Sequence, residues 1–109
     1  METNKISTYL GFCIRAGKIS FGIDRIETQK RAYLLIADGS LSENSLKVMK
    51  RAQERLNCPL IITENGLLGE LTHRPAVKAV AILDEQLAAA VVKTANGVPQ
   101  FKFYSGGVN

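Results

Sequence analysis

"RAYLLIADGSLSENSLKVMKRAQERLNCPLIIT", residues 31–63, decides the fold. Ala32 to Ala37 form an unbroken apolar run with no polar alternation, which is how a short strand covered on both faces reads. Asp38 to Ser40 follow as a loop. Ser42 is a good N-cap for a helix that buries Leu46, Met49, Ala52 or Gln53, and Leu56. Asn57 closes that helix, and Pro59 stops it from continuing. Leu60 to Thr63 then make a second short apolar strand. Strand, helix and strand in this order point to an α/β fold.

The pattern extends outward on both sides. Toward the N-terminus, Ile6, Tyr9, Leu10, Cys13 and Ile14 fall on one helical face. Thr3 or Asn4 is the expected cap, and Gly17 the left-handed end. Lys18 to Phe21 suit a short strand, and Gly22 opens a second helix running to about Lys30. Toward the C-terminus, residues 64–73 form a short helix or helical turn, and residues 77–83 the last strand. Asp84 caps a final helix, Glu85 to Ala95, whose apolar face includes Leu87, Val91 and Val92. Gly97 ends it. "VPQFKFYSGGVN" has no helical period; Phe101 and Phe103 share one side, so the segment either adds an edge strand or hangs free. The expected architecture is a three-layer α-β-α sandwich around a small mixed four-stranded sheet. A single domain is expected over residues 1–96, with residues 97–109 a tail or edge segment.

The chain has 109 residues, 46% apolar and 22% charged, enough for one core without staples. No apolar stretch reaches the roughly 20 residues of a membrane helix. "METNKISTYL" lacks the layout of a secretory signal, so the cytoplasm is the expected compartment. Cys13 and Cys58 lie in apolar stretches and in no C-x-x-C pair, so each reads as a small core residue. The net charge of +4 is uneven: residues 1–55 hold ten Lys/Arg against six Asp/Glu, and residues 56–109 hold four of each. A basic excess confined to one half suits a polyanionic partner.

Signs of catalysis are sparse. His73 is the only histidine, in a loop. Neither G-x-G-x-x-G nor a P-loop occurs, and no Ser or Cys stands in a nucleophile motif. Asp38 and Asp84 end strands, where α/β enzymes keep their sites, but capping explains both. No metal and no cofactor is expected. "RAGKISFGIDRIE", residues 15–27, is more telling. Gly22 at a helix start leaves amide N–H groups open to an anion, and Arg15, Lys18, Arg25, Lys30 and Arg31 surround it. A Gly-initiated helix with a solvated basic face reads equally well from these residues.

Three segments together resemble the kink-turn RNA-binding ribosomal-protein superfamily, most closely its small bacterial YlxQ-type branch. They are "LGFCIRAGKISFG" (10–22), "RAYLLIADGSLSENSLKVMKRAQERLNCPLI" (31–61) and "GLLGELTHRPAVKAVAILD" (66–84). The resemblance covers about residues 4–95. It implies a non-enzymatic RNA-binding protein that grips sharply bent RNA with two surfaces. These map to Gly22 through Ile23 and Asp24 to Arg25, and to Thr72 through His73, Arg74, Pro75 and Ala76 to Val77. Lys18 would add a phosphate contact. It further implies ribosomal or other structured RNA as partner, ribosome-associated proteins beside it, no membrane, and a monomer.

The chain departs from the family's pattern at the reading head. Where the family has Asn or Lys this chain has Asp24; where it has Glu or Gln, Arg25; where it has Lys, Thr28. Asp offers acceptors only and repels phosphate, although it can accept from a cytosine amino group. As a carboxylate in a first helical turn, Asp24 favours the positive end of the helix. These departures keep a second reading open, a protein-interaction module on the same fold. A small-molecule binder is a third, without any of its expected fingerprints.

Overall fold

A computed structural model describes residues 2–104, with side chains from Thr3 onward. The elements run α1 (Glu2–Ala16), β1 (Ile19–Phe21), α2 (Ile23–Thr28), β2 (Leu34–Asp38), α3 (Glu43–Leu56), β3 (Leu60–Thr63), α4 (Leu67–Thr72), β4 (Ala79–Ile82), α5 (Glu85–Ala95) and β5 (Phe101–Tyr104). The sheet order is β1-β4-β2-β3-β5. Only β2 and β3, joined through α3, are parallel; the other pairs are antiparallel.

Because successive strand residues face opposite ways, the sheet divides its side chains between two cores. Leu34, Ile36, Ile61, Val80, Ile82 and Phe101 face α1, α4 and α5, where Ile6, Leu10, Leu68 and Val91 meet them. Leu35, Ala37, Leu60, Ala79 and Ala81 face α2 and α3, where Ile26, Met49 and Ala52 close over them. The layers are therefore helix, sheet and helix. Cys13 and Cys58 are buried free thiols, and burial pushes each up to about 11.

Among the described residues the sheet has five strands, not the expected four. Phe101 is the reason: it is buried in the larger core, and β5 pairs with β3 from Leu60↔Tyr104 to Thr63↔Phe101. Residues 98–104 thus form a loop and an edge strand, while residues 105–109 of the expected tail lie outside the described residues. Thr3 and Asn4 do not cap the first helix. They lie within it, and Asn4 O accepts from Thr8 Oγ1 one turn on. Helix α2 stops at Thr28, short of Lys30, because Gln29 turns extended and Arg55 of α3 donates to the carbonyls of Ile26 and Gln29. The last strand is shorter than residues 77–83, since residues 74–77 close a turn through Val77 N and Arg74 O. Asp38 belongs to β2 rather than to the loop.

Gly17, Ser42, Asn57 and Asp84 do what their sequence contexts predict. Gly17 is left-handed, Ser42 Oγ accepts from Ser45 N, Asn57 is a left-handed C-cap, and Asp84 Oδ1 accepts from Leu87 N. No described helix is long and apolar enough to cross a membrane.

Candidate nucleic-acid interface

The pairing of β1 with β4 sets the geometry. Phe21 lies opposite Val80, and Gly22 N donates to Ala79 O at 3.0 Å. The start of α2 therefore sits beside the start of β4, directly after the loop of residues 73–78. Gly22 turns the chain from strand into helix with φ 93° and ψ 150°, a region open essentially to glycine alone. A side chain there would meet nothing, so conformation rather than space demands glycine. The first helical hydrogen bond is Ile26 N to Gly22 O, which leaves the N–H groups of Ile23, Asp24 and Arg25 at the open end.

Gly22→Ala should cost about 1–3 kcal/mol through this strain. It should also shift the angle at which α2 leaves β1. Chemical denaturation reads the first effect, and amide chemical shifts of residues 23–26 read the second. A stability equal to wild type would mean that the chain adopts another turn here.

The facing loop is held rigidly. His73 is the left-handed C-cap of α4, at φ 56°, a conformation that histidine tolerates better than most side chains. Arg74 N donates to Gly69 O, and the backbone of Arg74 and Pro75 lies against Gly69. A Cβ on Gly69 would come within 2.9 Å of Pro75 O, so only glycine lets the loop seat on α4. Arg74 then reaches across to Phe21, its guanidinium 4.6 Å from the ring centroid, a cation–π contact that joins the loop to β1 beside Gly22.

The expected site residues fall into three groups. Gly22, Asp24, Arg25, Arg74, Pro75 and Ala76 are exposed around the β1–β4 end. Several others are engaged within the fold. Ile23 packs against the smaller core, and Thr28 Oγ1 donates to Arg25 O. Thr72 is buried and donates to Leu68 O. His73 is exposed, with Nε2 3.4 Å from Ser7 Oγ, but Ser7 gives its proton to Leu71 O. Lys18 stands apart, at the other end of β1, where its carbonyl accepts from Leu83 N. About 13 Å of strand separates it from Gly22.

Three contributors escaped sequence reasoning. Phe21 read only as a strand residue, Lys78 only as part of the last strand, and Gly69 only as part of a short helix. Lys78 is exposed next to Ala79, whose carbonyl holds Gly22, and so brings a third cation to this end. The spacing of "GLLG" was the available signal for Gly69, since glycine inside a helix marks close approach.

Asp38 ends β2, where its backbone N donates to Lys78 O beside the 73–78 loop. Its Oδ1 accepts from Leu68 N and Thr63 Oγ1, and its Oδ2 from Gly66 N, Ser40 N and Ser40 Oγ. Burial pushes its carboxyl up, but the hydrogen bonds from Ser40, Gly66 and Leu68 outweigh this and hold it below the usual value. It is a structural clamp on the start of α4. Among the described residues no cluster of three or more His, Cys, Asp or Glu could hold a metal.

No family model matches the chain, and no curated protein matches it. Among solved structures it is similar to a protein of unknown function from Bacillus halodurans, with a TM-score of 0.75 and 15% identity over 84% of this chain and 96% of that one. Likeness at that identity speaks to the fold alone.

Proposed function

We propose that this chain is a non-enzymatic, cytoplasmic RNA-binding protein that grips structured, kink-turn-like RNA at the β1–β4 end of its sheet and acts with ribosomes or ribonucleoprotein particles. One observation carries the reading. The start of α2 and the 73–78 loop, separate in sequence, are joined side by side by the Gly22–Ala79 hydrogen bond and the Arg74–Phe21 stack. Exposed Arg25, Arg74 and Lys78 and the open amides of α2 present donors only, which suits phosphate oxygens and guanine edges. Asp24 is the exception; it faces solvent at the same end and selects against close phosphate approach there, leaving base amino groups as its partners.

A gel-shift titration at two salt concentrations tests this, comparing a kink-turn RNA with an unbent duplex of equal length. Tighter, salt-dependent binding of the bent RNA is expected. Equal, weak binding of both would leave only a charge footprint and remove shape recognition. Exposed Phe12 and Phe103 favour the second reading, a protein-interaction module. Capture of a partner that survives nuclease treatment would support that reading in place of the first.

A further inference from the structure

The interface above leaves much of the basic excess unused. Four of the ten Lys/Arg in the first half, Lys47, Lys50, Arg51 and Arg55, lie on α3. Arg55 is tied to the carbonyl end of α2. The other three are spaced i, i+3 and i+4, which places them on one helical face. They line a cleft of about 230 Å³ together with Glu54 and Tyr104 of β5. Lys50 Nζ lies 4.7 Å from the Tyr104 ring centroid. Lys102, two residues before Tyr104, is exposed on the same side of β5. Three cations thus line a cleft with a half-buried aromatic ring, Glu54 is the carboxylate in its wall, and Lys102 adds a fourth cation farther along the β5 edge. A cationic groove with an aromatic wall matches a sugar-phosphate backbone and its bases.

Position matters as much as composition. β5 is at the opposite edge of the sheet from β1, and four strand spacings separate the two edges by roughly 19 Å. We infer that the α3–β5 cleft is a second RNA contact, taking the phosphate backbone of a strand that leaves the β1–β4 interface. It rests on the proposed function, and the experiment separates the two.

Binding is measured against salt for a bent RNA alone and for the same RNA with a single-stranded extension of about ten nucleotides, within the range such grooves hold. The proteins are wild type, K47Q/K50Q, and K5Q/K93Q as an equal-charge control in the cleft between α1 and α5. The extension should tighten wild-type binding about tenfold, and K47Q/K50Q should lose that gain with a salt slope lower by about 1.4. The control should keep most of the gain, and the unextended RNA should bind all three proteins within about threefold. The inference is overturned if the extension adds nothing for wild type, if K47Q/K50Q keeps the gain, or if the control loses as much. Failure of wild type to bind either RNA removes the proposed function and this inference with it.

Discussion

Replacing Asp38 with alanine should destabilise the domain by about 3–5 kcal/mol, a large share of the roughly 5–15 kcal/mol available to a domain of this size. The carboxylate is 1% exposed and receives five donors from three segments: Ser40, Thr63, and the entry to α4 at Gly66 and Leu68. Hydrogen bonds to a charged acceptor contribute about 1.5–3 kcal/mol each, not additively. The isosteric Asp38→Asn should fare little better. Oδ1 faces Leu68 N–H, and Oδ2 faces the N–H groups of Gly66 and Ser40. An amide NH2 therefore meets a backbone donor whichever way it is flipped. Thermal denaturation should show Tm lowered by more than about 12 °C for either variant. A smaller fall for Asn than for Ala would mean that one of these donors is weakly held.

The same clamp gives a pH dependence. The folded-state value of Asp38 lies below its ordinary 3.8, so the unfolded chain takes up a proton first as acid is added. The stabilisation is full above the ordinary carboxylate range, declines as the pH falls below about 3.8, and is gone below the folded-state value. Wild type should lose stability more steeply than Asp38→Asn in that window. Parallel curves would mean that other carboxylates govern acid unfolding.

Most of the fold was legible because its signals are local. A short unbroken apolar run bounded by loop residues reads as a strand buried on both faces, and Ser42, Asn57 and Asp84 sit where backbone groups need partners. β5 was harder to read. Its case rests on Phe101 filling space between distant elements, and no neighbouring residue encodes that. The end of α2 was lost for a similar reason, because Arg55 takes the carbonyls of Ile26 and Gln29 from 29 and 26 positions away. At the interface, the sequence pointed to both surfaces but not to their junction. Arg74 over Phe21 joins residues 53 apart, and Lys18 looked close to Gly22 only because sequence distance hides the length of a strand.

The R25E/R74E variant should bind structured RNA at least about 30-fold more weakly than wild type, since an arginine contact to a phosphate or base edge typically carries a tenfold effect or more. Both side chains are exposed, so the fold should persist, with Tm lowered by only about 2–8 °C as the Arg74–Phe21 stack is lost. Arg74→Lys separates charge from shape. It keeps the cation but loses the planar group that stacks on Phe21 while aiming donors outward. Its salt slope should stay near that of wild type, while its preference for bent over straight RNA shrinks. Asp24→Asn should act in the opposite direction. It removes a negative charge from the first turn of α2 and adds a donor beside the open amides, so affinity should rise about fivefold or more. Opposite effects from neighbouring residues cannot arise from unfolding, which only weakens binding. If Asp24→Asn instead weakens binding, the carboxylate is itself a contact, accepting from a base amino group.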